Sequence, residues 1–129
     1  MNGTSCVICD AGRFPAGGAD MIFNFDNMEE KMIPEFKGGS GCFRPRMFSD
    51  EHMKTMRARL EPGASIGFHT HDTNSEIIFM LRGRGVVLYD DGAEELVAGQ
   101  CHYCPKGHSH SLRNESGETI EFYAVVPEQ

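Results

Sequence analysis

The sequence predicts an all-β domain, built as an antiparallel sandwich or barrel. From about Pro45 onward, the chain consists of about eight short runs of β-type residues, separated by turn residues and spaced roughly 8–12 residues apart. No helical periodicity lies between these runs, which argues against the alternating strand–helix order of a parallel sheet. The turn residues Asp90, Asp91 and Gly92 stand between two apolar runs and are a strong hairpin signal.

The runs can be followed in order along the chain. Residues 53–60 (MKTMRARL) and 65–71 (SIGFHTH) alternate between polar and apolar side chains, as half-buried strands do. Residues 86–97 (VVLYDDGAEELV) form two short runs around the hairpin turn. Residues 111–126 (SLRNESGETIEFYAVV) hold two more runs around a Glu-Ser-Gly turn.

The run from Ile77 to Leu81 is apolar on both faces. Ile78 and Met80 would point to one side of a strand, whereas Ile77, Phe79 and Leu81 would point to the other. We therefore expect one face to be buried in the barrel and the other against a second sheet or a second subunit. A homodimer is one arrangement that provides this cover.

The segment before Pro45 differs in composition from the rest of the chain. Residues 1 to about 20 are rich in Gly, Ala and small polar residues, which is typical of a flexible arm. Residues 37–41 (KGGSG) are predicted to form a loop. We therefore divide the chain into an N-terminal arm and lead-in, residues 1–44 and partly flexible, and a single barrel domain, residues 45–129.

Size and charge narrow the classes of function. The chain has 129 residues, which suffice for one domain with a core of its own. Its net charge is −7 and it has no basic cluster, which argues against a nucleic-acid partner. No apolar run approaches the roughly 20 residues of a membrane helix, so we expect no membrane partner.

The N-terminus and the cysteines suggest a cellular location. The first residues lack the basic region and long apolar core of a signal peptide, so a cytoplasmic protein is expected. The five cysteines are an odd number, which favours reduced thiols over a disulfide framework.

Four residues have the spacing of a metal site. His69 and His71 are two residues apart, so a strand would project both imidazoles from one face. Glu76 follows a short polar turn and opens the next strand, and His110 begins a later one. Three imidazoles and a carboxylate suit one divalent transition metal per chain (Fe, Mn, Ni, Co, Cu or Zn) without selecting among them.

These residues belong to two longer motifs. Residues 63–83 read G-x5-H-x-H-x4-E-x6-G, and residues 99–114 read G-x5-P-x-G-x2-H-x3-N. Both resemble, position for position, the two motifs of the cupin superfamily, and residues from about 45 to 127 have the length of one cupin barrel. Gln100 departs from the pattern, because many members carry Asp there.

The resemblance implies a fold and a set of ligands. It implies a small single-domain jelly-roll barrel, a double-sheet antiparallel β-sandwich. It implies that His69, His71, Glu76 and His110 are the metal ligands. Gln100 is not at a ligand position, so the departure leaves this expectation unchanged.

The stretch from Cys101 to His110 (CHYCPKGHSH) also suggests other chemistry. A second C-x-x-C at Cys6 and Cys9 lies about 90 residues away, much farther than in a zinc ribbon. On a strand, the sulfurs of Cys101 and Cys104 would face opposite sides, which suits neither chelation nor a redox dithiol. At least one of them is therefore interpreted as buried and structural, and the other could line a pocket.

Three further histidines are less well placed for binding a metal. We expect a solvent-facing or supporting role for His108, and surface or internally hydrogen-bonded positions for His52 and His102.

A substrate pocket is harder to predict than the metal ligands. The candidates are Arg59, which could pair with a substrate carboxylate, and Phe68, Met80, Cys104 and Tyr123 as walls. An ordinary role on the strand surface or in the core explains each of them equally well.

Three functions fit these residues. The first is a metal-dependent enzyme acting on a small organic molecule, for which the resemblance implies dioxygenase, isomerase, decarboxylase or lyase chemistry. Glu76 could then remain a ligand or act as a base. The second is a non-catalytic barrel that binds or senses a small molecule or a metal. The third is a purely structural metal site.

Overall fold

The computed structural model describes residues 21–129, and the N-terminal arm up to residue 20 lies outside the described part. The flexibility expected of the arm therefore stays a prediction for those residues. The described residues form ten strands: β1 (Ile33–Pro34), β2 (Cys42–Ser49), β3 (Met53–Leu60), β4 (Ser65–Thr70), β5 (Glu76–Arg82), β6 (Arg84–Tyr89), β7 (Gly92–Val97), β8 (Cys101–Cys104), β9 (Ser109–Arg113) and β10 (Ile120–Pro127).

Helical structure in the described residues consists of two short 3-10 turns, Phe25–Asn27 and Phe36–Gly38. No helix between residues 21 and 129 has the length and apolar character needed to cross a membrane.

The strands form two antiparallel sheets. The larger has the order β1-β2-β3-β10-β5-β8, and the smaller has the order β4-β9-β6-β7. The core lies between them, and its largest fully buried apolar side chains are Leu60, Ile78, Leu112, Ile120 and Phe122. This arrangement confirms the predicted all-β jelly-roll sandwich.

Alternation along β3 shows how the sequence specifies the two faces of the larger sheet. Met56, Ala58 and Leu60 are buried, whereas Arg57 and Arg59 lie on the outer face. The predicted hairpin joins β6 and β7, and Asp90 in its turn has φ +43°, in the left-handed region that Asp tolerates.

The larger sheet includes residues before Pro45. β2 begins at Cys42 and pairs along its length with β3, and β1 adds a short edge strand to it. Residues 21–32 run beside this sheet, where Arg46 donates to the backbone carbonyls of Phe25, Asp26 and Met28. The lead-in is therefore attached to the barrel from at least Phe25 onward.

Residues 21–129 cover strand β5 on one face and leave its other face partly exposed. Ile78 and Met80 are buried in the core, but Phe79 and Leu81 are 44% and 38% exposed on the outer face. The second sheet therefore covers the inner face of β5, and the outer face is the one that a second subunit would cover.

Asn114 joins three segments at the end of the barrel opposite the histidines. It is 1% exposed, and its amide nitrogen donates to the carbonyls of Leu60 (2.9 Å) and Glu118 (2.7 Å). Its oxygen accepts from the backbone amide and the hydroxyl of Ser116. The last residue of the second motif is thus a structural hydrogen-bonding centre.

We predict that Asn114→Ala lowers the free energy of unfolding by about 2–4 kcal/mol, because it leaves buried backbone groups unpaired. Urea unfolding followed by circular dichroism measures this loss. The control Ser116→Ala removes a single hydroxyl that is more exposed than the Asn114 amide. It should lower the free energy of unfolding by less than about 1 kcal/mol. Equal losses in the two variants would contradict the structural role of Asn114.

Candidate metal centre

The four residues predicted as ligands come together at one end of the barrel. His69 lies on β4, His71 directly follows that strand, Glu76 begins β5 and His110 lies on β9. One nitrogen or oxygen from each lies within 4.8 Å of those of the other three. The cluster joins the two sheets, because Glu76 belongs to the larger sheet and the histidines to the β4–β9 side.

Strand register and two backbone hydrogen bonds place the histidines. His69 pairs directly with His110, and an irregularity in the β4–β9 pairing between Ile66 and His69 turns the imidazole inward. Beyond the end of β4, the backbone amide of His71 donates to the carbonyl of His108 (2.9 Å), and the amide of Gly107 donates to the carbonyl of His71. Gly107 has φ +89°, which glycine adopts without strain.

An outer hydrogen bond fixes the ring of each histidine. His69 Nδ1 donates to the carbonyl of Gly67 (2.7 Å), and His71 Nδ1 donates to Asn74 Oδ1 (2.5 Å). His110 Nδ1 lies 3.0 Å from His102 Nε2 and is assigned as the donor. With all three Nδ1 protons used in this way, each neutral ring has its lone pair on Nε2, which is the atom facing the cluster.

The inward-facing atoms are too close to remain without a positive charge between them. His71 Nε2 lies 3.2 Å from His69 Nε2 and 3.0 Å from His110 Nε2. Glu76 Oε1 lies 3.2 Å from His71 Nε2 and 3.0 Å from His110 Nε2. Lone pairs at these distances repel unless a proton or a metal ion lies among them.

The spacing also fits a metal ion. Two donors in neighbouring positions of an octahedral ion, with bonds of about 2.1 Å, are about 3.0 Å apart. Three imidazole nitrogens and one carboxylate oxygen are suitable donors for a divalent transition metal. The residues present therefore form a possible metal site.

The acid–base properties of the cluster follow from burial and mutual contact. In the metal-free cluster, burial raises the pKa of Glu76, but hydrogen bonds from His110 and His71, each protonated at Nε2, outweigh it and hold the pKa at about 2. Burial lowers the pKa of His69. The hydrogen bond with Glu76 raises the pKa of His71, against the opposing effect of burial. Glu76 is thus an ionised carboxylate at neutral pH.

A cavity of about 410 Å³ opens onto the cluster, and His69, His71 and Glu76 form part of its wall. The 3-10 turn Phe36–Gly38 contributes another part of that wall. The turn packs tightly on β4, because a Cβ atom at Gly67 would clash with the carbonyl oxygen of Lys37. The close contact of these two backbone segments sets the position of Phe36 and Lys37 at the cavity.

A second cavity of about 570 Å³ lies at the opposite edge of the barrel, between β6–β7 and β8. It is lined by His102, Cys104 and Tyr89, among others, and His102 Nε2 lies 3.0 Å from Nδ1 of His110 in the cluster. Burial lowers the pKa of His102 to about 4, which keeps its Nε2 available as an acceptor at neutral pH.

The five side chains expected at a substrate pocket lie outside the wall of the 410 Å³ cavity. Arg59 faces outward and forms a bidentate ion pair with Glu30, in which Nε and Nη2 donate to Oε2 and Oε1 at 2.6 and 2.9 Å. Phe68 is 53% exposed, because the strand irregularity that turns His69 inward leaves Phe68 outside. Tyr123 lies on the outer face of the larger sheet, and Met80 is buried in the core. Cys104 lines the second cavity.

The cysteines and remaining histidines lie mostly where the sequence indicated. Cys104 is buried, with its pKa raised to about 11 by burial, and Cys101 is exposed. His108 is partly exposed and its Nδ1 lies 2.9 Å from Asp90. Cys6 and Cys9 lie outside the described residues.

Sequence reasoning did not assign two residues that position the histidines. The sequence places Asn74 in the polar turn before Glu76, and it predicts a surface or internally hydrogen-bonded position for His102. The alternation of β8 carries a signal for His102, because it shares an inward phase with the buried Cys104.

The fold and the cluster define a double-sheet β-barrel with a possible three-histidine, one-glutamate metal site at one end. A family model described as "Cupin domain" matches residues 56–126, more than half of the chain. The chain belongs to the cupin family.

Individual relatives agree with this assignment. The chain is 31% identical over 116 residues to a Thermotoga maritima protein named "Oxalate-binding protein", covering 84% of this chain and 95% of the relative. A crystal structure described as a predicted oxalate decarboxylase from Thermotoga maritima has a TM-score of 0.79 at 26% identity, covering 84% of this chain and all of the other. The cupin domain of Schizosaccharomyces pombe Cnp3 shares the fold, with a TM-score of 0.69 at 13% identity over 84% of this chain and 74% of the other.

We predict that the ion pair between Arg59 and Glu30 stabilises the packing of the lead-in against the barrel. Glu30→Gln should lower the free energy of unfolding by about 1 kcal/mol at pH 7, a value that allows for solvent screening of a partly exposed pair. The hydrogen bond from Arg59 lowers the pKa of Glu30 below its ordinary 4.5. The ion pair therefore contributes fully above about pH 4.5 and is lost as pH falls through the lowered pKa.

Urea unfolding at several pH values tests this prediction, with Glu29→Gln as the control because Glu29 is largely exposed. The difference in free energy of unfolding between the wild type and Glu30→Gln should disappear under acidic conditions. A deficit that stays constant down to about pH 2.5 would contradict an electrostatic origin.

Proposed function

We propose that the chain is a metal-dependent cupin enzyme acting on a small organic acid. The observation that carries this proposal is the convergence of three imidazole Nε2 atoms and the Glu76 carboxylate on one point beside an open cavity. A purely structural site would be enclosed by protein, whereas this one is accessible through the cavity. Four protein ligands on a six-coordinate ion would leave two positions for a ligand.

One divalent transition metal per chain (Fe, Mn, Ni, Co, Cu or Zn) would be held by His69, His71, Glu76 and His110. Such an ion supplies Lewis-acid stabilisation of negative charge on a bound oxygen. Glu76 is assigned to metal binding rather than to general-base catalysis, because its carboxylate oxygen converges with the three imidazole nitrogens. Asn74 and His102 are assigned to orienting the imidazoles.

The choice of an organic acid rests on charge. Lys37 and Lys54 line the cavity together with Asp72 and Glu76, so the four charges cancel. A divalent metal would then leave the cavity with two net positive charges, which favours an anionic ligand. The name of the Thermotoga maritima relative, an oxalate-binding protein, points to the same class of ligand.

The alternative is a barrel that binds its ligand, or a metal, without transforming it. The same relative's name favours this alternative, because it refers to binding. The two proposals differ in the fate of the ligand. Proton NMR can follow an organic acid incubated with catalytic amounts of metal-loaded protein. An enzyme would convert the acid and change its spectrum, whereas a binder would leave the spectrum unchanged.

We also propose a cytoplasmic location, supported by the free thiols of Cys42, Cys101 and Cys104.

We predict about one transition metal per chain in the purified protein, measured by elemental analysis. His69→Ala/His71→Ala should lose at least nine-tenths of the bound metal, because it removes two of four ligands. The matched control is His52→Ala/His108→Ala, which removes two exposed histidines outside the cluster. Similar metal contents in both double variants, or no metal in the wild type after reconstitution, would contradict the proposed site.

We further propose that a second copy of the chain covers the outer face of β5. Phe79 pairs across the sheet with Tyr123 and Cys101, and Ile77 with Tyr103, so these side chains form one continuous patch. Its apolar members Phe79, Tyr103 and Tyr123 are 44%, 56% and 37% exposed. Charges of both signs border the patch, including Arg82 and Glu121, and could pair across a two-fold axis.

Light scattering after size-exclusion chromatography tests the dimer. The wild type should have twice the mass of one chain, and Phe79→Asp should shift it to the monomer, because a charge in the apolar patch opposes its burial. Phe68→Asp is the matched control, since Phe68 is equally accessible but lies on the other sheet. A monomeric wild type, or dissociation of both variants, would refute this surface.

A further inference from the structure

We infer that the ligand of the metal centre is an organic acid with an apolar side group next to its chelating oxygens, such as a 2-oxo acid with an alkyl or aromatic tail. This inference rests on the proposed function and narrows its substrate class. It follows from how the cavity beside the cluster is divided into a polar end and an apolar wall.

The polar end is the metal centre itself. His69, His71 and Glu76 supply it, and the polar turn that carries Asp72 and Asn74 borders it. An acid that binds a metal through two adjacent oxygens, as a 2-oxo acid or oxalate does, would use the two coordination positions left by the four protein ligands.

The rest of the wall has a different chemistry. Most of it is built from apolar side chains contributed by the 3-10 turn and by five strands: Ile33, Phe36, Phe43, Met47, Met56, Ile66 and Val126. Phe43, Met56, Ile66 and Val126 are also part of the hydrophobic core, and Phe36 and Met47 pack against it. The wall is therefore fixed by the packing of the barrel itself.

Oxalate cannot use such a wall. It has no atom beyond its two carboxylates, so at the metal it would leave the apolar part of the cavity without a ligand contact. The cavity volume of about 410 Å³ lies within the roughly 300–1,000 Å³ of pockets that enclose larger organic ligands. Removing apolar surface from water at this wall favours a ligand with a tail.

The two lysines at the cavity are compatible with this class. Lys37 Nζ lies 5.6 Å from the centre of the Phe36 ring, so a positive charge stands next to the apolar wall. Such a charge attracts an anionic acid into the cavity.

Titration calorimetry of the Mn(II)-loaded full-length chain tests the inference with oxalate, pyruvate, 2-oxohexanoate and phenylpyruvate. Each methylene buried at the wall tightens binding by up to about fourfold. 2-Oxohexanoate should therefore bind at least about tenfold more tightly than pyruvate, and phenylpyruvate should also bind more tightly than pyruvate and oxalate.

Two wall variants locate the effect. Phe36→Ala and Met47→Ala should each reduce the preference for 2-oxohexanoate over pyruvate at least threefold, with pyruvate affinity unchanged as the check that the metal centre is intact. Phe68→Ala, on the outer surface, is the control and should leave both affinities unchanged.

The outcomes separate this inference from the proposed function. If oxalate or pyruvate binds as tightly as the longer acids, the inference is overturned and the metal-bound acid of the proposed function stands. If no acid binds to the metal-loaded chain, both are overturned. A preference for long acids that persists in both wall variants would refute the apolar wall as its source.

Discussion

The convergence of three imidazole lone pairs and one carboxylate is the constraint on which the rest of this site depends. These atoms approach to 3.0–3.2 Å, so they need a positive charge among them. Three outer hydrogen bonds prevent the rings from turning away, and they come from a backbone carbonyl, an amide side chain and a fourth histidine. A cluster held in this way is preorganised for a cation, because the protein fold has already offset the cost of bringing the donors together.

The barrel provides this preorganisation through its register. His69 and His110 face each other because β4 pairs with β9, and Glu76 enters from the other sheet at the start of β5. At the opposite end, Asn114 bonds to the strand that ends at Leu60 and to the turn before β10. The two motifs thus supply both a cluster of donors and a hydrogen-bonding residue that stabilises the turns.

Much of this arrangement could be predicted from the sequence, because local spacing carries it. Alternation along β3 indicated the faces of the strand, and the two motifs named the four clustered residues. The cavity wall could not be predicted in this way. Its side chains come from β1, β2, β3, β4, β10 and a 3-10 turn that are distant in sequence, and an irregularity in β4 reverses the phase that would have placed Phe68 inside. Arg59 likewise finds Glu30, 29 residues earlier, in a lead-in whose course no periodicity indicates.

The two cavities of the barrel differ in how they contact the clustered residues. The cavity beside Phe36 exposes His69, His71 and Glu76 directly, whereas the one beside Tyr89 meets the cluster through His102. In the proposed function, a ligand would contact the clustered residues from the first side, and a side-chain change on the second side would act through the orientation of His110.

X-ray absorption spectroscopy of the chain loaded with Co(II) tests directly whether His69, His71, Glu76 and His110 hold the metal. We expect nitrogen and oxygen neighbours at about 2.0–2.2 Å, with the outer-ring scattering of three imidazoles. A sulfur neighbour at about 2.3 Å, or scattering from fewer than three imidazoles, would place the metal elsewhere and contradict this site.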